Sequence, residues 1–372
     1  MNLPIRTLGD YWQLLQKHGL LSSAQPLSAD LLSRPVALVS CDSQSVTPGT
    51  LFIVKGAHFK GRYLADALAR GAFIYLSDHV WEEAGAAPCL LVSDVRRAMA
   101  LLADFYYDHP SGKLHVVGIT GTKGKSSTSY YLKYIFDEYE AGKKGPESGV
   151  IGSIDTYDGS ERFESHLTTP EPLDLQRHFA HAVAAGIPYL TMEVSSQALK
   201  YHRTLCTRFA AACFLNIGQD HISPIEHPDF EDYFSSKLRI FAQAEVGCVN
   251  LDCEHAGRVL AAAQAGSRQV ITFSQKDPEA DIYASQVRKR GNDILLLTDH
   301  YLSVYNRKYH KDLHISGEVY QRFLAYAWPG NVRQLQNVIE SVVVLSHGPV
   351  ILLEDLPEQI VAFEPLPQSS PA

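Results

Sequence analysis

The chain has 372 residues, 45% of them apolar and 20% charged, which is ordinary globular composition with room for two or three domains. Its 33 Lys and Arg stand against 41 Asp and Glu, a net charge of −8. A surface that tracks nucleic-acid phosphates shows as basic excess, so this balance argues against a nucleic-acid-coating protein while leaving room for a small anion held by a few arginines.

Met1-Asn-Leu-Pro-Ile-Arg6 lacks a basic region followed by an apolar one, and no apolar run approaches the roughly 20 residues that cross a bilayer. The six cysteines, at 41, 89, 206, 213, 248 and 253, form no C-x-x-C pair and no dense disulfide framework. Together these predict a cytoplasmic protein without a membrane partner. Residues 1–110 alternate short apolar runs, Val36-Ala-Leu-Val39, Thr50-Leu-Phe-Ile-Val54 and Phe73-Ile-Tyr-Leu76, with helical stretches such as Ala65–Ala69 before Gly71. They predict a small N-terminal α/β domain.

At Leu114-His-Val-Val117 an apolar run leads into Gly118-Ile-Thr-Gly-Thr-Lys-Gly-Lys-Ser-Ser127 and then a helical pattern. Glycines 118, 121 and 124 let a backbone turn tightly and aim its N–H groups at phosphate oxygens, beside the positive end of the following helix. Lys125 would neutralise the terminal phosphates and Ser126 would hold Mg²⁺. The strict phosphate-loop pattern fails by one position, since it needs glycine where Ile119 stands, but T-G-T-x-G-K-S fits. The plainer alternative is a glycine-rich turn carrying a surface lysine.

Beyond the loop, Tyr189-Leu-Thr-Met-Glu-Val194, Ala211-Ala-Cys-Phe-Leu-Asn216, Cys248-Val-Asn-Leu251 and Gln269-Val-Ile-Thr-Phe273 read as near-continuous apolar strands between helices. Over 111–290 they predict a mostly parallel sheet covered on both faces. Glu193 closes one strand and is either a metal ligand or a helix-capping anion; Asp220-His221 follows the next, and a lone histidine has a structural alternative. Helices are predicted over 299–308 and 331–345, the second with Val332, Leu335, Val338, Ile339, Val342 and Leu345 on one stripe. They predict a helical segment over 291–360, before a proline-rich, disordered tail over 361–372.

The phosphate loop resembles that of the Mur ligases, ATP-dependent enzymes that add amino acids to the cell-wall precursor, whose loop reads T-G-T-[NDK]-G-K-[ST]-[ST]. Met192-Glu-Val-Ser-Ser196 and Asn216-x-x-x-Asp-His221 match two further motifs of that family in order. The resemblance implies ATP and Mg²⁺ as cofactors, with nucleotide bound by Gly121, Thr122, Lys123, Gly124, Lys125, Ser126, Ser127 and Asn250. It implies Mg²⁺ on Ser126, Glu193 and His221. Lys237 stands where the family has a carbamylated lysine, a fourth metal ligand, although on the residues alone it reads as a surface lysine. Lys125, His221 and Lys237 are the implied catalytic set.

Cys41–Gly49 with Leu51-Phe resembles the family's uracil-binding segment D-S-R-x-V-x-P-G-x-L-F, which carries over Ser43, with Gln44 where arginine is usual. Leu167-Thr-Thr-Pro-Glu-Pro172 resembles the substrate-contacting T-T loop, carrying over Thr168 and Thr169. Ser195, Tyr201 and Arg203 follow, and Arg203 suits a diphosphate because its planar fork donates two parallel bonds; an exposed salt bridge is its alternative role. The branch implied is the ligase that adds L-lysine or diaminopimelate to UDP-MurNAc-L-Ala-D-Glu.

From about residue 290 this pattern gives way, with no F-N-x-x-N, D-Y-A-H or D-N-P-R segment. Tyr326-Ala-Trp-Pro-Gly-Asn-Val-Arg-Gln-Leu335 instead resembles the helical lid of AAA+ activators of sigma-54 polymerase, with Arg333 at the nucleotide-sensor position. The activators' own phosphate loop, acidic Walker motif and sigma-contacting loop have no counterpart, so contact with sigma-54 polymerase is not expected and Arg333 reads as a capping or surface residue. The expectation is two unlike sequences joined near residue 290, a ligase impaired by the lack of its third domain; the alternative is a regulatory or nucleotide-binding module without ligase activity.

Overall fold

Strands at both ends of the first 285 residues pair in parallel, which requires helical crossovers and explains the strand–helix alternation of the sequence. The structure, a computed structural model, describes residues 3–22, 27–56, 58–220, 222–223, 226–285, 287 and 293–363, without the side chains of Asp293, Asn331 and Arg333. It divides into two compact units, residues 1–285 and 286–372.

In the first unit β1 (Leu38–Ser40), β2 (Thr50–Ile53), β3 (Ala72–Ser77) and β4 (Cys89–Leu91) form a parallel sheet in sequential order. Helices α1 (Leu8–Lys17), α2 (Gly61–Ala69) and α3 (Val95–Tyr106) accompany it. Leu8, Tyr11 and Leu15 meet Leu51, Ile74 and Leu102 in one core. α1 starts cleanly because Thr7 accepts from the Asp10 N–H while the Asp10 carboxylate accepts from the Thr7 N–H, a reciprocal cap.

The central sheet has nine strands. They are β5 (His115–Thr120), β6 (Gly149–Ile151), β7 (Asp155–Tyr157), β8 (Arg162–Glu164), β9 (Tyr189–Glu193), β10 (Phe209–Phe214), β11 (Ala244–Asn250), β12 (Gln269–Ser274) and β13 (Ile282–Tyr283), ordered 8-7-6-9-5-10-11-12-13. All neighbours are parallel except the hairpin β7–β8 and its junction with β6. That hairpin was not anticipated: its strands are three residues each and β8 is exposed throughout, so no apolar run marks it. The crossovers α4 (Lys125–Ala141), α5 (Pro172–Ala184), α6 (Ser196–Lys200), α7 (Phe230–Leu238) and α8 (Ala256–Gly266) lie between strands in sequence. Phe179, Phe209, Phe214, Tyr233, Phe234 and Phe241 fill the core of this layer.

Gly118 corrects one expectation. It lies inside β5, opposite Met192 and Ala212, and not in the turn. A Cβ there would stand 2.8 Å from the Phe209 ring, so the glycine makes room for an aromatic side chain. Gly118→Ala should cost roughly 1–3 kcal/mol, read as a lower urea midpoint at unchanged slope.

The second unit contains α9 (Asp293–Tyr309), α10 (Gly317–Ala325) and α11 (Asn331–Leu345) with the short parallel pair β14 (His314–Ile315) and β15 (Val350–Ile351). Leu335, Val338, Ile339 and Val342 are buried with Trp328, whose indole N–H donates to the Phe323 carbonyl at 2.7 Å. Leu345, placed on the same stripe by periodicity, is exposed at the last position of the helix. No helix among the described residues is long and apolar enough to cross a membrane.

Candidate active site

The sheet order puts β5 between β9 and β10, so three loops emerge side by side at the carboxyl edge, where open α/β sheets place their ligands. The middle loop, 121–124, is the predicted phosphate cradle. Gly124 has φ +84°, a left-handed conformation that favours glycine, and it opens α4 at Lys125. Ser126 and Ser127 are half-buried in the first turn, where backbone N–H groups have no helical acceptor.

Asn216, at the end of β10, fixes the loop. Its carbonyl accepts from the Thr122 N–H at 3.1 Å, and its side chain exchanges two bonds with Lys123, N–H to Oδ1 at 2.9 Å and Nδ2 to carbonyl at 3.0 Å. Gly121 passes close to this neighbour: a Cβ on it would stand 3.1 Å from Leu215 Cβ. The Thr122 hydroxyl accepts from the Gly218 N–H at 3.0 Å and lies 3.1 Å from the Tyr233 hydroxyl, whose pKa burial pushes up to about 12.

Two lysines meet on one carbonyl. Lys125 Nζ donates to the carbonyls of Gly121 at 3.0 Å and Thr122 at 3.3 Å, and Lys237 Nζ donates to Gly121 at 2.9 Å. Lys237 is no surface residue: it is 2% exposed, and its Nζ lies 4.8 Å from the centre of the Tyr233 ring. The cause is local. Asp229 caps α7 by accepting from the Asp232 N–H at 2.8 Å, and from that start positions 233 and 237 fall one turn apart on the buried face. Burial first, and the Lys125 charge second, hold Lys237 well below its usual value, favouring the neutral amine.

Glu193 closes β9 in register with Ile119. It is 1% exposed, and its two oxygens accept from the Ser153 N–H at 2.8 Å and the Ser153 hydroxyl at 3.1 Å. Ser153, in the loop after β6, was missed because a single serine outside any motif gives no signal. Thr168 lies 3.3 Å from the same hydroxyl, and Thr169 donates to the Glu193 carbonyl at 2.9 Å while accepting from the Ser195 N–H at 3.1 Å. Ser195 caps α6 through the Ala198 N–H at 3.1 Å. The T-T loop and the strand end carrying Glu193 are thus one hydrogen-bonded body.

Arg203 joins it. Its Nη1 donates to the Thr169 carbonyl at 3.2 Å, and its Nε lies 2.9 Å from Glu171, whose other oxygen pairs with Lys55 Nζ at 2.7 Å. Lys55, just after β2, brings the N-terminal sheet to this loop. Tyr201 lies beneath the Arg96 guanidinium, 4.2 Å from ring centre to Cζ. Ser43 is buried near Asp66, a carboxyl lowered by Arg70 and then by the Ser43 hydroxyl. Asn250 spends its amide within the protein, donating to the Leu215 carbonyl at 2.9 Å and accepting from the Asp252 N–H at 2.9 Å, so it braces the strand that leads to Asn216. His221 lies outside the described residues.

A buried relay beside the site escaped sequence reasoning. His227, fully buried, bonds Asp232 through Nδ1 at 2.6 Å and the Ser196 hydroxyl through Nε2 at 2.9 Å, and Lys200 pairs with the same Asp232 oxygen at 2.7 Å. It ties the loop before α7 to the Glu-Val-Ser-Ser segment. These residues are spread over 36 positions of sequence, from 196 to 232, and no spacing rule joins them.

The donor set suits a hard divalent cation in part. Glu193 and the Ser126 hydroxyl offer oxygen, which Mg²⁺ requires; an amine at Lys237 does not, and would need conversion to an oxygen ligand. A buried lysine whose pKa is lowered gives up its proton more readily, which favours such a conversion.

The Mur ligase middle domain matches residues 119–320, and the AAA+ ATPase lid domain matches residues 288–371. The UDP-N-acetylmuramoyl-L-alanyl-D-glutamate–L-lysine ligase of Enterococcus faecalis is 42% identical over 257 residues, covering 68% of this chain and 50% of that protein. The UDP-N-acetylmuramyl-tripeptide synthetase of Bifidobacterium longum is 39% identical over 285 residues, covering 73% of this chain and 54% of that protein. The chain spans about half the length of the curated relatives it matches. Among solved structures, a UDP-N-acetylmuramoyl-L-alanyl-D-glutamate–2,6-diaminopimelate ligase shares the fold with a TM-score of 0.58 at 23% identity, over 73% of this chain and 54% of that one. With the middle-domain match running through the phosphate loop, the Glu193 strand and the Lys237 helix, the chain belongs to the Mur ligase family.

Proposed function

We propose that residues 1–285 bind ATP and UDP-MurNAc-L-Ala-D-Glu and serve ATP-driven amide formation at the free carboxyl of that dipeptide, with L-lysine or diaminopimelate as the amine. The observation that carries this reading is the meeting of Lys125 and Lys237 on the Gly121 carbonyl, with the Glu193 strand in register alongside. The names of the relatives support the choice of precursor.

A carboxylate at neutral pH is a poor electrophile, and activation by phosphoryl transfer repairs this: the γ-phosphoryl group passes to the carboxylate, ADP leaves, and the amine then displaces phosphate. In this chain the first-turn N–H groups from Lys125 to Ser127 and the Ser127 hydroxyl seat the phosphates, and Lys125 exchanges the Gly121 and Thr122 carbonyls for phosphate oxygens. Mg²⁺, held by Ser126, Glu193, His221 and Lys237, would neutralise the crowded charge. Lys237 adds CO₂ through its neutral amine, forming an N–C bond and releasing one proton, which turns a nitrogen into a carboxylate-like ligand. Ser43, Thr168, Thr169, Ser195, Tyr201 and Arg203 hold the precursor. In the proposed domain plan 1–110 binds its uridine end, 111–290 binds ATP, and 291–360 is the lid, in a cytoplasmic protein.

The test is phosphate release from ATP with the dipeptide and each amino acid, alongside detection of amide product. ATP binding and phosphate release that depends on the dipeptide are the expected results, with residues 288–371 matching a lid domain. No ATP binding would sink the reading. For the second unit we propose descent from the lid of sigma-54 activators, on the Trp328-Pro-Gly-Asn-Val-Arg333 pattern; open-complex formation by the chain is not expected.

The Lys237 amine also sets a pH dependence. Unfolded, it holds its proton up to about its ordinary value of 10.5; folded, it loses the proton earlier. The unfolded state therefore binds more protons in that window, and stability rises with pH across it. In CO₂-free buffer Lys237→Met should flatten this rise in urea titrations at successive pH values.

A further inference from the structure

At the opposite edge of the central sheet stands a second polar centre that the proposed reaction does not use. β7 runs antiparallel to β6, with Tyr157 level with Val150, so the turn from Asp158 to Glu161 lies at the amino edge of the parallel strands, away from the phosphate loop. His178 and His181 sit three apart on α5, facing that turn. Both present Nδ1 to the same atom, Asp158 Oδ2, at 2.7 and 2.9 Å. One ligand atom each from Asp158, Glu161, His178 and His181 all lie within 4.8 Å of one another.

We propose that Asp158, Glu161, His178 and His181 form a site for one divalent metal ion of the zinc class. Two imidazoles and two carboxylates are the mixed nitrogen and oxygen set that suits Zn²⁺ or Co²⁺ over Mg²⁺ or Ca²⁺. Asp158 and His178 are buried, at 0% and 2% exposure, and His181 and Glu161 form the more exposed side of the centre. The supports are in place. Asp158 Oδ1 is fixed by the N–H groups of Ser160 at 3.0 Å and Glu161 at 2.7 Å, which leaves Oδ2 turned to the imidazoles. Arg177 Nη1 holds both oxygens of Glu161, at 2.9 and 2.8 Å, and offsets its charge.

Loading changes the ligand spacing in two directions, since the wider pairs, up to 4.8 Å, must close while the shorter ones open. Tetrahedral zinc with bonds of about 2.0–2.1 Å sets its ligand atoms about 3.3 Å apart, so the two Nδ1 atoms must each withdraw from Asp158 by about half an ångström. With metal on Nδ1 each neutral imidazole carries its one N–H on Nε2, the proton passing from Nδ1 to that nitrogen by way of solvent. Loaded, the ion would pin the exposed β7–β8 hairpin to α5.

The experiment uses the full chain, stripped with chelator and titrated with CoCl₂ and then ZnCl₂. One equivalent of Co²⁺ should give the visible bands of a four-coordinate nitrogen and oxygen site without thiolate charge transfer, be displaced by Zn²⁺, and persist in Glu193→Gln. His181→Ala, at the rim of the cluster, should lose at least tenfold in affinity while keeping its circular dichroism, and Zn²⁺ should raise the Tm of the parent chain but not of this variant. The proposal is overturned if the folded parent binds no equivalent of Co²⁺, or if His181→Ala binds it as tightly as the parent. In either case the two histidines serve only as hydrogen-bond donors to the turn.

Discussion

Lys237→Ala is expected to reduce ATP-dependent phosphate release about 10²- to 10³-fold, the scale of removing one preorganised charge-stabilising group. The side chain is 2% exposed and ends on the Gly121 carbonyl, inside the turn proposed to seat phosphate. Two controls separate chemistry from folding. Lys237→Arg keeps a long basic side chain, but as a permanent cation that cannot add CO₂, so it should be as inactive as the alanine variant. Formate or acetate should partly restore Lys237→Ala by returning an oxygen ligand to the space left behind. Depleting bicarbonate should lower the parent's rate and leave Lys237→Ala unchanged. Full activity of Lys237→Ala at parental stability would remove the residue from the mechanism.

Lys125→Ala is expected to raise the Kd for ATP by roughly 10- to 150-fold, since a hydrogen bond to a charged group contributes about 1.5–3 kcal/mol. Calorimetric titration with ATP and with adenosine distinguishes the causes: the loss should appear for the triphosphate and be absent for the nucleoside. A second effect follows from the pair. Removing the Lys125 charge relieves the repulsion that helps hold Lys237 low, so in Lys125→Ala the remaining amine should react with CO₂ only at higher pH.

Much of this site was legible because its chemistry lies close along the chain. The strand–loop–helix order from Leu114 to Ser127 marks a candidate phosphate loop, and Glu193 and Asn216 stand at ends of apolar strands that parallel pairing must bring beside it. What was not legible depends on the third dimension. Lys237 reads as a surface residue because one lysine in a mixed helix gives no burial signal; its position one turn after Tyr233 becomes meaningful only once the packed face is known. Gly118 reads as part of the turn, yet its role is the space taken by a ring 91 residues further on, at Phe209. Ser153 and the His227 relay are side chains without motif, recruited by topology.

The Asn216 brace has a kinetic meaning. Because the Lys123 backbone is already held at both its N–H and its carbonyl, the turn is fixed by the protein's own contacts. On the proposed function little backbone ordering would remain to be spent on capture, so nucleotide uptake is expected to be paced by encounter and by the release of Lys125 from its carbonyls.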